Sequence, residues 1–130
     1  MHTVDTIMPE MMKLRVHIAP VGFEIDRVVI PATKMKADRV YLLRHDNHSE
    51  DKSGPYLDKI TKKLEKKNIE TKVVDVNRYR LFGIIKVVKD IIQTERENDI
   101  YLNVASGSKI HSIGCMMACM MFDDLSLIHI

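Results

Sequence analysis

Two serines, a glycine and a lysine stand in a row at Ser106-Gly107-Ser108-Lys109, directly after the apolar run Tyr101-Leu-Asn-Val-Ala105. Two hydroxyls, a flexible backbone and one cation at this spacing suit the holding of an anion such as a phosphate. If the run is a buried strand and Ser108 opens a helix, backbone N–H groups and the helix dipole converge on the same place. Lys109 at a helix start opposes that dipole, a local cost that a bound ligand explains better than stability does. The expected ligand is phosphorylated. The site residues expected from this segment are Asn103, Ala105, Ser106, Gly107, Ser108 and Lys109.

Other loop chemistries do not fit. A Walker A loop needs glycine directly before its lysine, and here Ser108 separates Gly107 from Lys109. No Gly-x-Gly-x-x-Gly turn follows the first strand, so a nicotinamide or flavin dinucleotide is not expected, and no cofactor is. Gly-x-Ser-x-Gly is absent, so Ser106 is not a nucleophile-elbow serine. The polar stretch Arg44–Asp51 offers His45, Asp46 and His48 but no further clustered ligand, so no metal is expected. A second glycine segment, Pro20-Val-Gly-Phe-Glu24, follows the first strand. There Gly22 allows close backbone approach and Phe23 is placed to stack on a base or pack under the sheet. Glu24 and Asp26 suit a helix N-terminus.

These residues need elements to position them. Leu14–Ala19 reads as a strand, stopped by Pro20 and Gly22. Phe23–Lys36 reads as a helix with Ile25, Val28, Val29 and Ala32 on one face, kinked or broken at Pro31. Arg39–Leu43 is the second strand and Arg44–Gly54 a loop. Pro55–Lys67 is a helix with Tyr56, Ile60 and Leu64 inward, capped by Gly54 and stopped at Asn68. Glu70–Val76 is the third strand. Asn77 caps a long helix over Arg78–Glu97, with Leu81, Ile84, Ile85, Val88, Ile91 and Ile92 at helical spacing. Asp99–Val104 is the fourth strand, and Ser108–Phe122 the last helix. This βαβαβαβα alternation predicts an α/β, Rossmann-like three-layer sandwich with a mainly parallel sheet in the order 3-2-1-4. The order reverses between strands 1 and 4, where ligands sit in open sheets. The Gly22 and Gly107 loops should meet there.

Composition bounds the rest. The chain has 130 residues, 45 % apolar and 29 % charged, enough for one core. Its net charge of +2 gives no ground for direct nucleic-acid binding, and the lysines at 59, 62, 63, 66 and 67 read as a solvated face. No apolar run reaches transmembrane length, so no membrane partner is expected. Cys115 and Cys119 sit four apart in an apolar helix and read as small core residues, which with the absence of a signal layout implies a cytoplasmic location. The last helix is apolar almost all round, with Met116, Met117, Met120 and Met121, so its outer face is expected to meet a second subunit or a further domain. A two-fold dimer across it would bring two Ser-Gly-Ser-Lys loops together. Residues 1–13 have no clear period and read as a mobile leader, and residues 14–124 as one folded domain. Leu125–Ile130 leaves the helical pattern and matches an in-frame translation of a common transposon-derived adaptor, so residues 125–130 are expected to be a non-native tail at a truncated C-terminus.

Taken together, Pro-Val-Gly-Phe-Glu after the first strand and Asn-Val-Ala-Ser-Gly-Ser-Lys opening the fourth helix resemble the CARF family, the CRISPR-associated Rossmann fold, over roughly Leu14–Phe122. The likeness is strongest to archaeal CARF-containing winged-helix transcriptional regulators. It implies that residues 14–124 are a ligand-sensing domain, in a homodimer that binds a cyclic oligoadenylate across its two-fold axis. Ser106, Gly107, Ser108 and Lys109 would match the phosphate loop, and Gly22 and Phe23 the strand 1 loop. No winged-helix segment is present, so the resemblance implies DNA binding only through a missing domain. It implies a sensor first and names no catalytic residue. A ring nuclease cleaving the same ligand, or a plain dimerisation domain, are the alternatives.

Overall fold

The computed structural model describes residues 13–47, 49, 52–77, 80–121 and 125–128. All but the last residue of the expected leader lie outside them, as do His48, Arg78, Phe122 and the end of the chain. The elements in order are β1 (Arg15–Pro20), α1 (Asp26–Lys34), β2 (Arg39–His45), α2 (Gly54–Lys66), β3 (Glu70–Val76), α3 (Leu81–Thr94), β4 (Asp99–Asn103), α4 (Lys109–Met121) and β5 (Leu125–Ile128). The sheet is parallel throughout, in the order β3-β2-β1-β4-β5. The expected 3-2-1-4 arrangement is present, with the reversal between β1 and β4. β5 is an addition: four residues of the segment read as a tail, three of them apolar, pair in parallel with the open edge of β4, Ile100 opposite Leu125.

The strand pleat divides the core in two. Val16 and Ile18 of β1, Tyr41 and Leu43 of β2 and Ile100 and Leu102 of β4 pack against α3 and α4. Ala19, Val40 and Leu42 face the other way, against α1 and α2. Helical spacing in α1, α2 and α3 supplies the matching stripes, with Val28, Val29 and Ala32, then Leu57, Ile60 and Leu64, then Ile84, Val88 and Ile91 buried. Several details differ from the sequence reading: α1 spans Asp26–Lys34, shorter than the expected 23–36, and α3 begins at Leu81 with Arg80 at its cap instead of Asn77 and ends at Thr94. Leu57 takes the inward place expected of Tyr56, because it stands three and seven residues before Ile60 and Leu64 on the same face; α2 also begins one residue earlier, with Ser53 at the cap and Pro55 inside the first turn. Pro31 does not break α1, which runs through it.

The helix ends are chemically specific. Lys36 and Asn68 both adopt left-handed backbone, with φ of 55° and 60°. The next N–H reaches back in each case, Ala37 to the Ala32 carbonyl at 2.8 Å and Ile69 to that of Leu64 at 3.0 Å. This closure satisfies carbonyls the helices would otherwise leave open. The Cys115 thiol is fully buried and its pKa is pushed up to about 12 by that burial. It is therefore an inert core group, as the sequence suggested. The side chain of Cys119 lies outside the described residues. No helix among the described residues is long and apolar enough to cross a membrane.

β1 also carries a buried base. His17 is 1 % exposed, lies beside the Tyr101 ring at 5.4 Å between centroids, and has a pKa lowered to about 4 by burial and by the charge of Arg15. The imidazole must stay neutral in the fold, whereas in the unfolded chain it protonates near the ordinary value of about 6.5. The unfolded state therefore binds more protons between these values. Stability is expected to be flat above pH 6.5 and to fall by about 3 kcal/mol as the pH drops toward 4. Urea unfolding as a function of pH measures this. A His17→Leu variant should lose most of the slope, and an equal slope in both proteins would remove His17 as its source.

Candidate functional site

The loops after β1 and β4 meet at the sheet's order reversal, as the topology requires. The meeting is backbone against backbone. A Cβ placed on Gly22 would lie 3.1 Å from Gly107 Cα and 3.2 Å from its nitrogen. Gly107 has a φ of +78°, and a Cβ there would come within 2.5 Å of Pro20 Cβ and 2.9 Å of His111 Nδ1. The first value is a steric overlap, and the φ is one that residues with side chains rarely adopt. Both glycines are thus dictated by the approach of two backbone segments, which is also what leaves room beside them. Between the loops lies a half-open cleft of about 220 Å³.

Of the residues expected at the site, Gly22, Phe23, Ala105, Gly107 and Ser108 line the cleft. Lys109 is exposed as the first residue of α4 and is not part of the cleft wall. Ser106 is 3 % exposed, and its Oγ is buried with no hydrogen-bond partner among the described residues. Asn103 lies beneath the loop, 1 % exposed, with both ends of its amide in use. Its Oδ1 accepts from the N–H groups of Ala105 at 2.9 Å and Ser106 at 3.2 Å. Its Nδ2 donates to the Arg27 carbonyl at 2.7 Å. In a regular helix that carbonyl would accept from residue 31, but residue 31 is proline and has no N–H. The proline leaves an acceptor open, the asparagine fills it, and the other end of the asparagine shapes the loop. This is a positioning role, distinct from the direct contact expected for Asn103.

Four residues of the site escaped the sequence reading. Arg27 lines the cleft, pairs with Glu24 three residues earlier, and donates from Nη1 to the Ala105 carbonyl at 3.2 Å. Such a pair at a helix start looks like ordinary surface decoration until the fold sets it against the β4 loop. His111 is buried at the cleft floor, where its Nδ1 accepts from the Ser108 N–H at 3.3 Å and lies 3.2 Å from Ser108 Oγ. The Nδ1 therefore serves as an acceptor, and Ser108 is held on both its backbone and its side chain. Ser53, at the cap of α2, forms another part of the wall. Tyr56 meets the exposed ring of Phe23 edge-on, with centroids 5.6 Å apart and planes at 74°. The aromatic pair stands at the rim, where Phe23 neither packs under the sheet nor is covered. Of the histidine-rich loop, His45 is buried with Nδ1 3.3 Å from Asp46 Oδ1. No group of three or more His, Cys, Asp or Glu able to hold a metal ion occurs among the described residues.

A cleft at this place can hold an anion against the Gly107 backbone, beside the Arg27 cation, with a flat group on Phe23. The sequence profile of the family described as HFX_2341_N:-like, N-terminal matches residues 15–130. A relative of known sequence, uncharacterized protein MJ1513 of Methanocaldococcus jannaschii, is 35 % identical over 106 residues, 78 % of this chain. The chain spans only 31 % of that relative's length. Can2 from Sulfobacillus thermosulfidooxidans, solved with cyclic tetra-adenylate, superposes with a TM-score of 0.70 at 19 % identity, over 82 % of this chain and 29 % of its own. Enterococcus italicus Csm6, bound to cyclic hexa-2′-fluoro-hexa-dAMP, gives 0.71 at 12 % identity, over 88 % and 33 %. Protein VC1899 from Vibrio cholerae gives 0.72 at 12 % identity, over 88 % and 30 %. At these identities the structures share the fold.

Proposed function

We propose, from the premise that this chain belongs to the HFX_2341_N:-like, N-terminal family, that it is a CARF-like ligand-sensing domain that binds a cyclic oligoadenylate or a related phosphorylated nucleotide across a homodimer. The observation that carries the reading is the Gly22–Gly107 seam, which opens a cleft at the one place in this sheet where the strand order reverses. The Gly107–Ser108 backbone and the Arg27 cation on the cleft wall, the Lys109 charge that follows Ser108 in the chain and the exposed Phe23 ring suit a phosphate joined to a base. Two solved proteins of the same fold hold cyclic oligonucleotides.

A cleft of about 220 Å³ is smaller than the ~300–1,000 Å³ of sites that enclose a drug-sized ligand. It suits one phosphate and its sugar, a half-site that a second copy completes. The outward apolar residues Ile113, Met116 and Met120 of α4 supply a surface for that copy. Binding would then change how the two subunits sit, and a further domain of a transcriptional regulator would read the change. DNA contact belongs to that domain.

Calorimetric titration with cyclic tetra-adenylate and cyclic hexa-adenylate, followed by chromatography of the recovered ligand, tests the reading. One event per dimer with intact ligand is expected, and cleaved ligand would make the protein a ring nuclease instead. No heat from a folded dimer with either ring would refute the ligand class. Lys109→Ala is expected to weaken binding by about 1.5–3 kcal/mol through loss of a charge-assisted bond. Unchanged affinity in that variant would take Lys109 out of the site.

A further inference from the structure

The cation on the cleft wall is Arg27, and it is already occupied. Its Nε pairs with the Glu24 carboxylate, and its Nη1 donates to the Ala105 carbonyl at 3.2 Å. Both Glu24 and Arg27 line the cleft, and both are about half exposed, at 60 % and 48 % of their side chains. The guanidinium is therefore tethered to the β4 loop on one side and to a carboxylate on the other, inside the space a phosphate would enter. A guanidinium presents a planar fork that takes a carboxylate and a phosphate in the same way. The Glu24 carboxylate has the charge and the oxygen spacing to stand in for the ligand.

We propose that Arg27 is a phosphate-binding residue of this cleft, held in position by Glu24, whose carboxylate occupies the place that the ligand's phosphate takes. This rests on the phosphorylated-ligand reading and adds to it a competition within the protein. The incoming phosphate exchanges with the carboxylate, and Glu24 turns outward to water. Arg27 keeps its bond to the Ala105 carbonyl throughout, so the cation arrives oriented. The exchange also gives selectivity, because an anion alone gains little by displacing a carboxylate, whereas a phosphodiester with a neighbouring base on Phe23 gains the base contact as well.

The test uses the whole chain, with cyclic tetra-adenylate and inorganic phosphate as separate probes. Affinity is read by calorimetry, and the Arg27 side-chain Nε–H signal by ¹⁵N NMR. Glu24→Gln is expected to tighten cyclic tetra-adenylate binding about 5-fold, and Arg27→Gln to weaken it about 10-fold or more. Arg27→Lys, which keeps the charge without the fork, should fall between. In the Arg27→Gln background the gain from Glu24→Gln should shrink to less than about twofold, since the two act through one contact. Thermal melts of all variants control for folding. Cyclic tetra-adenylate binding with an unmoved Arg27 signal, or with Arg27→Gln within about twofold of the parent, overturns the proposal and leaves the ligand reading standing. An Arg27 shift with phosphate alone, and none with the cyclic nucleotide, upholds the cation site and sinks the nucleotide. No response to either probe refutes both.

Discussion

Asn103→Leu is expected to cost about 2–4 kcal/mol of stability and to lower ligand affinity at least about 100-fold. Leucine has a similar volume but no amide. Its introduction leaves three groups without partners: the N–H of Ala105, the N–H of Ser106 and the Arg27 carbonyl. The last has no helical substitute because Pro31 cannot donate. Each unmet buried backbone group costs about 1–3 kcal/mol, reduced where water can reach it, as beside the half-exposed Ala105. The loss of affinity has a geometric cause. Without the clasp, the Ala105–Lys109 loop is no longer held at one distance from Gly22. Urea unfolding and calorimetry on the same variant measure the two effects. Asn103→Asp, which keeps the acceptor and loses the donor, should recover part of the stability. A leucine variant that binds normally would mean that the loop is shaped by the Gly22–Gly107 seam alone.

Glu95→Ala is expected to be more damaging to the fold and harmless to binding. Glu95 is 4 % exposed and lies at the N-terminal end of the strands, opposite the cleft. Its two carboxylate oxygens accept from Arg39 Nη1 at 2.7 and 2.6 Å, and the hydroxyl of Tyr41 and the amide of Asn98 complete the shell. Burial alone would favour the acid form, but the bonds from Tyr41, Asn98 and Arg39 outweigh it and hold the carboxyl below its usual range. The same contact, after burial, pushes the Tyr41 hydroxyl up to about 12. Removing the carboxylate leaves Arg39 with Glu70 alone and the buried Tyr41 hydroxyl with none of this shell. Breaking such a pair costs about 3–5 kcal/mol, which for a chain of this size lowers Tm by about 10 °C or more. The sign with pH follows from the depressed value. The contribution is complete above the unfolded carboxylate's pKa and is lost as pH falls through the folded one. It therefore fails at lower pH than the His17 contribution does. Thermal melts at pH 7 and pH 4 should show the variant far below the parent at the first and closer to it at the second. A variant that melts with the parent at pH 7 would show that water replaces the carboxylate.

The two ends of the sheet were unequally legible in the sequence. Strand identity came through because β3 runs over the expected Glu70–Val76 and the stripes in α1 and α3 bury the residues that helical spacing selects. The meeting of the two glycine loops followed from strand order alone. Arg27 and His111 did not, because their roles depend on residues 78 positions away, at Ala105, and on a serine whose backbone had first to be placed. Pro31 was legible as a disruption and not as an opening, since the group that uses the freed carbonyl comes from β4. The Arg39–Glu95 network was equally hidden, as it joins residues 56 apart in the chain. β5 was missed because four mostly apolar residues form a strand only where an edge is waiting.

Gly22 meets Gly107 backbone against backbone, and the side chains packed against Gly107 are those of Pro20 and His111, on the protein side of the loop. Together with the Asn103 clasp, these fix how the two loops dock. Phe23 and Lys109, both exposed, take no part in that docking, so substitutions there can change what the cleft meets without changing how the loops meet. A seam built from interlocking side chains would have required paired changes. The same two glycines that limit the chain locally leave the exposed rim of the site free to evolve.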